Sequence, residues 1–117
     1  MDPLCGFIAA TNIEALHSEW SCSVSGETTT NPCAVPSWAG LICVGHNAGS
    51  YDVSSIDITQ SVLHGTLPSS LAQLSSLQYV YLNNNKMYGS IPTQLCGVAA
   101  LLDLYLGSNA FTGSLPS

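Results

Sequence analysis

Five cysteines and three histidines are the residues of this 117-residue chain with the most chemistry available to them. Cys33, Cys43 and His46 can be drawn as part of a zinc site, because Cys43-Val-Gly-His46 has a ligand-like spacing. A fourth ligand is not evident, and the remaining spacing is not that of a zinc finger. Cys5, Cys22, Cys33 and Cys43 instead suggest disulfides formed in an oxidising compartment, with the pairing left open by spacing alone. Cys96 stands apart. It is either a small thiol filling space in the interior or a partner for an intermolecular bond. His17 and His64 read as surface residues. No Gly-x-Ser-x-Gly, phosphate-binding loop or His-Glu-x-x-His stretch occurs, so no catalytic residue, metal or cofactor is assigned and the chain is not read as an enzyme.

Charge narrows the partners. Only 7% of the residues are charged, Lys86 is the one basic residue, and seven acids bring the formal net charge to −6. Nucleic-acid binding needs clustered Lys and Arg, and so does a basic membrane-surface helix; both are excluded. No apolar run approaches the roughly 20 residues of a membrane span. Solubility must come from Ser, Thr, Asn and Gln, which suits a secreted or cell-surface location. No Asn-x-Ser/Thr sequon is present, so any glycosylation would be on Ser or Thr.

What positions these residues is a repeat. Leu74, Leu77, Val80, Leu82, Asn85, Met87, Gly89, Ile91 and Pro92 are followed by Val98, Leu101, Leu104, Leu106, Asn109, Phe111, Gly113, Leu115 and Pro116, each pair 24 apart (101 − 77). The same step backwards reaches Ser50, Val53, Ile56, Ile58, Ser61, Leu63, Gly65, Leu67 and Pro68, with Ser61 where Asn is expected. A fixed period of this size with L-x-x-L-x-L-x-x-N is the pattern of a leucine-rich repeat solenoid. The fold class is α/β: parallel strands on a concave face and short helical or 3-10 turns on a convex face. The strand segments, such as Leu77 to Leu82, turn apolar residues inward. Asn85 and Asn109 come where the chain leaves the strand, and an amide there can pair backbone groups on both sides. Ser61 can do only part of this, so the first repeat should be less regular. Gly65, Gly89 and Gly113 suit a tight bend, and Pro68, Pro92 and Pro116 suit the start of a short helical turn, packed back by Leu71 and Leu95.

The run LSSLQYVYLNNNKMYGSIPTQL resembles the plant-type leucine-rich repeat, whose second half carries an extra L-x-G-x-I-P. Residues 1–49 lack the period. Thr11-Asn-Ile-Glu14 has the spacing of a capping box, and Ile13, Leu16 and Trp20 fall on one face of a helix expected to stop near Ser21. Ala15, Leu16, Trp20, Pro32, Cys33, Trp38, Gly40 and Cys43 match the cap that precedes plant-type repeats, although Cys33 and Trp38 are further apart than is usual there. The resemblance implies a Cys33–Cys43 bond, leaving Cys5 and Cys22 as the second pair. The organisation expected is a helical, disulfide-bonded N-terminal cap over 1–49, its Trp20 and Trp38 covering the first repeat, and three repeats over 50–117, the last incomplete. Residues 1–10 lack the features of a cleavable signal, and no polar cap follows Ser117. The expectation is a mature form or a fragment whose open end is covered by further repeats or another copy.

The strand positions between the core leucines line the concave face in columns. Ser55, Tyr79 and Asp103 form one, Asp57, Tyr81 and Tyr105 the next, followed by Thr59, Asn83 and Gly107, then Gln60, Asn84 and Ser108. Rings give contact area at small entropic cost and amides give direction, a composition suited to recognition. The candidate ligand-binding residues are Tyr79, Tyr81, Tyr105, Asp103, Asp57 and Asn83; the plainer alternative is that Tyr and Asn are tolerated on a solvated sheet. The expected function is a non-catalytic extracellular module binding a protein, peptide or glycan. Two alternatives are a structural subunit of a matrix, wall or surface filament assembling through repeat ends, and a glycosidase-inhibitor-like repeat protein.

Overall fold

The computed structural model describes residues 3–28, 30, 32, 33, 38–43 and 52–112. A step of 24 residues becomes a strand register. Strands β2 (Val53–Asp57), β4 (Tyr79–Tyr81) and β6 (Asp103–Tyr105) run parallel, aligning Ser55 with Tyr79 and Asp103, Ile56 with Val80 and Leu104, and Asp57 with Tyr81 and Tyr105. Successive strand residues face opposite ways. The middle one therefore points inward, where Ile56 and Val80 are fully buried, and its two neighbours point outward.

After each such strand the chain forms a second one. β3 (His64–Gly65), β5 (Lys86–Ser90) and β7 (Ala110–Thr112) make a separate three-stranded parallel sheet. Pro68 and Pro92, both extended, then start 3-10 turns over Ser69–Gln73 and Thr93–Gly97. A proline has no N–H to lose at a helix start, and its fixed φ favours the turn that follows. Leu71 and Leu95 pin those turns to the core.

Asn85 carries the first bend. Its Oδ1 accepts from the backbone N–H of Ser61 at 3.0 Å and of Leu63 at 3.1 Å. Its Nδ2 donates to the carbonyls of Ile58 (2.6 Å), Leu82 (3.0 Å) and Asn83 (3.3 Å). Asn109 repeats the pattern one unit on, accepting from Met87 N–H at 2.9 Å and donating to the Leu82, Leu106 and Gly107 carbonyls. The Ser61 hydroxyl makes a single contact among the described residues, donating to the Thr59 carbonyl at 2.8 Å. The first bend is also the irregular one. Gln60, Asn84 and Ser108 are left-handed in all three copies, whereas Val62, at φ 51°, has no left-handed equivalent at Lys86 or Ala110.

The N-terminal segment departs from the expected single helix. A first helix, α1, spans Pro3–Ala10, and a second, α2, spans only Ile13–Leu16. Thr11 does not form the capping box. Its hydroxyl donates to the Phe7 carbonyl at 2.7 Å, closing α1, and accepts from the Ile13 N–H at 3.3 Å. Trp20 lies beyond α2 yet is fully buried, tilted against Phe7 at 5.7 Å and Trp38 at 5.3 Å. The indole N–H of Trp20 donates to the Ala39 carbonyl and that of Trp38 to the Thr30 hydroxyl, so neither polar edge is buried unpaired. Disulfides join Cys5 to Cys22 and Cys33 to Cys43, each with Cα atoms 5.9 Å apart.

Contacts at Gly65 and His64 tie this segment to the first repeat. Gly65, at φ 127°, lies so close to α1 that a Cβ would overlap the Ala10 carbonyl oxygen, which accepts instead from Thr66 N–H at 2.9 Å. Asn12 Oδ1 accepts from His64 N–H at 2.8 Å. A strand missing from the sequence reading, β1 (Leu41–Cys43), pairs antiparallel with β2 and completes a four-stranded sheet in the order β1-β2-β4-β6. One apolar cluster runs through all of these elements, from Leu4 to Val98.

Candidate functional site

The outward face of the four-stranded sheet carries five of the six predicted site residues. Tyr79 and Tyr81, two apart on β4, point the same way with ring centroids 5.9 Å apart and planes 11° from parallel. Tyr81 and Tyr105, register partners on adjacent strands, stack at 4.9 Å and 24°. The three phenols form one continuous array. Offset stacking of this kind contributes beyond the area buried and holds each ring in place before a ligand arrives.

The carboxylates lie at opposite corners of the array. Asp57 is the register partner of Tyr81 on one side, and Asp103 is that of Tyr79 on the other. Asp57 is exposed and Asp103 half-buried. Neither carboxylate has a hydrogen bond or ion pair among the described residues. Partial burial first, and the Asp103 carboxylate second, hold the Tyr81 phenol above its usual value of 10; Tyr105, Tyr79 and Asp57 push the same way. This is a region of negative potential around neutral rings.

The sixth residue is Asn83. It lies past the end of β4, on the wall of a cavity of about 680 Å³ that it shares with Tyr105, Leu104, Leu106 and Phe111. The outermost expected column also changes character. Gln60, Asn84 and Ser108 have φ values of 52°, 61° and 55°, so this column is a left-handed turn leaving the sheet and not part of an extended face.

One residue of this face was absent from the sequence reading. Ile42 on β1 is the register partner of Ser55 and is 58% exposed. Directly paired residues share a face, so one row reads Ile42, Ser55, Tyr79, Asp103. Ser55 itself is only 4% exposed and is a floor to this row more than a contact. The signal was the apolar triplet Leu41-Ile42-Cys43 after Gly40, too short to read as a strand without knowing that β2 offers an edge.

The other candidates resolve simply. Cys33 and Cys43 are bonded to each other and are not available as thiolate ligands; His46 lies outside the described residues. So does the side chain of Cys96, although its backbone is in the second 3-10 turn. His64 is exposed and His17 half-buried. Among the described residues no group of three or more His, Cys, Asp or Glu could hold a metal ion, and no helix is long and apolar enough to cross a membrane.

Comparison with known proteins agrees with this architecture. Residues 76–98 match the family model described as Leucine Rich Repeat. The chain is 38% identical over 55 residues to a nodulation receptor kinase of Pisum sativum, an alignment covering 47% of this chain and 6% of that protein. Among solved structures, it is similar to a chain of the BIR3–SERK2 complex from Arabidopsis thaliana, with a TM-score of 0.75 and 30% identity, over 99% of this chain and 60% of that one. It is also similar to a chain of the PEPR1–AtPEP1 structure, with a TM-score of 0.68 and 28% identity, over 98% of this chain and 19% of that one. The chain thus spans a small part of the receptor kinase and less than two thirds of either structural relative.

Proposed function

We propose that this plant-type leucine-rich repeat protein is a non-catalytic recognition module working outside the cytosol, binding a protein or peptide on the concave face of a short solenoid. In this reading residues 1–49 are the cap, residues 50–117 are the repeats, and the outward face of the four-stranded sheet is the concave one. The observation that carries it is the array of Tyr79, Tyr81 and Tyr105, ordered by mutual stacking and flanked by two carboxylates that have no hydrogen bond or ion pair among the described residues. Preordered rings bind with little further loss of side-chain entropy. Two disulfides suit an oxidising compartment, and the BIR3–SERK2 relative was solved as a complex.

The test is selection from a displayed random-peptide library against the intact chain, followed by binding of each clone to a Tyr81→Ala/Tyr105→Ala variant. Clones that lose about tenfold or more in affinity on the variant are expected, since tyrosines of this kind dominate interface energetics. Recovery only of clones that bind both forms equally would remove this face as the site.

A second reading, assembly through repeat ends, is favoured by the cavity beside β6, where Leu104, Leu106 and Phe111 are only half-buried. Light scattering over a concentration series decides it: mass that grows with concentration supports assembly, and constant monomer mass rejects it.

A further inference from the structure

We propose that the ligand of this face is an extended peptide segment presenting an arginine side chain to the tyrosine array, held between ring and carboxylate. This rests on the reading that the outward sheet face is the binding surface, and it adds the chemistry of the occupant.

Three observations lead to it. The side-chain carboxylates of Asp57 and Asp103 flank the array with no hydrogen bond or ion pair among the described residues. The protein has almost nothing of its own to offer them: Lys86 is the only basic residue, and it lies on β5 in the other sheet. Tyr105, at the end of the stack, is 51% exposed and sits two residues from Asp103 on the same strand, hence on the same face. A cation over a phenol ring is attracted by the negative face of the ring, and a carboxylate next to that ring adds to the attraction. Burial is the first cause that holds the Tyr81 phenol above its usual value; the second, the Asp103 carboxylate, is the part of that effect that also favours a cation.

Arginine fits better than lysine. Its planar guanidinium can lie against a ring while its N–H groups reach a carboxylate beside it, whereas an ammonium interacts as a point charge. An acidic partner is disfavoured by the formal net charge of −6. A glycan can stack on tyrosines, but a neutral sugar leaves both carboxylates without a charged partner. The ends of the row add an apolar contact at Ile42, suited to an apolar residue of the same segment.

The experiment titrates the intact chain with oligoarginine, oligolysine and oligoglutamate peptides of equal length, capped at both ends, at near-physiological salt. It follows the Tyr81 and Tyr105 ring resonances by NMR. Oligoarginine should shift both rings and bind a few-fold more tightly than oligolysine, with oligoglutamate silent. Asp57→Asn and Asp103→Asn should each weaken binding about two- to fivefold, the size of one exposed charge or cation–π contact. Glu14→Gln, on α2 outside the sheet, should leave it unchanged. If Glu14→Gln weakens binding as much as Asp103→Asn, or if oligoarginine leaves the rings unmoved, the proposal is overturned. Display-selected peptides that depend on Tyr81 and Tyr105 but lack arginine would overturn it while leaving the binding-face reading standing. Failure of both experiments removes both.

Discussion

Ser61 and Asn85 occupy the same place in successive repeats, and the second supports the first: the Asn85 side-chain oxygen accepts the Ser61 backbone N–H at 3.0 Å. Asn85 is 8% exposed and ties carbonyls on both sides of the bend, so replacing it strands several backbone groups at once. Asn85→Ala should lower unfolding free energy by about 3 kcal/mol, from at least one or two unsatisfied buried groups. Asn109→Ala, in a less buried copy, should cost less. Urea unfolding of both variants checks the order as well as the size.

Gly65 and Gly97 make a matched pair for the same measurement. Gly65 has φ 127° and no room for a Cβ against the Ala10 carbonyl, whereas Gly97 faces open space. Gly65→Ala should destabilise by about 3 kcal/mol or more, and it should detach α1 from the first repeat. Gly97→Ala should be within about 0.5 kcal/mol of wild type or slightly stabilising, by lowering the entropy of the unfolded chain.

Val62 offers a gain. A β-branched residue at φ 51° is strained, and its side chain is 59% exposed, so little burial is lost by changing it. Asparagine tolerates the left-handed region. Val62→Asn should raise stability by about 1 kcal/mol, seen as a higher thermal midpoint. An unchanged or lower midpoint would mean that the strain is not released at this position.

How much of this was legible in the sequence depends on whether a feature repeats. The register of Ser55, Tyr79 and Asp103 follows from the 24-residue step, as do the asparagine bends and the proline-started turns. The pairing of the cysteines followed from the cap that the sequence resembles. Features without a second copy were lost. Helix α1 reads PLCGFIAA, with no polar face to give a 3.6-residue rhythm and no acidic residue in its first turn. Thr11 and Glu14 have the spacing of a capping box, but the Thr11 hydroxyl is committed to Phe7. Strand β1 is three residues long and gains its partner from ten or more residues away, so Ile42 could not be placed on the tyrosine face in advance.

The disulfides should differ in weight. Cys5 and Cys22 are 17 apart in sequence and Cys33 and Cys43 are 10 apart. In the chain-entropy account the longer loop stabilises by about 3 kcal/mol and the shorter by about half a kcal/mol less. Paired Cys→Ser variants, compared by denaturant unfolding, test the order.

Alkaline titration reads the tyrosine array. Because the Tyr81 phenol ionises later in the folded protein than its ordinary value of 10, its contribution to stability is complete below about pH 10 and is lost as pH rises through the folded value. Ultraviolet titration of the phenolates should show a late-ionising component that disappears in Tyr81→Phe. Asp103→Asn should bring it part of the way back, since partial burial is the larger cause.

The 24-residue register also constrains how such a chain can lengthen or shorten over generations. Adding or removing one whole unit between Leu74 and Asn109 leaves every asparagine bend with a successor and every strand residue with a partner of its own kind. A change by an odd number of residues puts an inward Val80 or Leu104 beside an outward tyrosine, and a change by any other number that is not a whole unit still moves Asn109 away from the Met87 N–H it accepts from. Length variation here is therefore quantised. The first repeat is exempt from such copying, because Gly65 and His64 are joined to Ala10 and Asn12, of which the chain has one set.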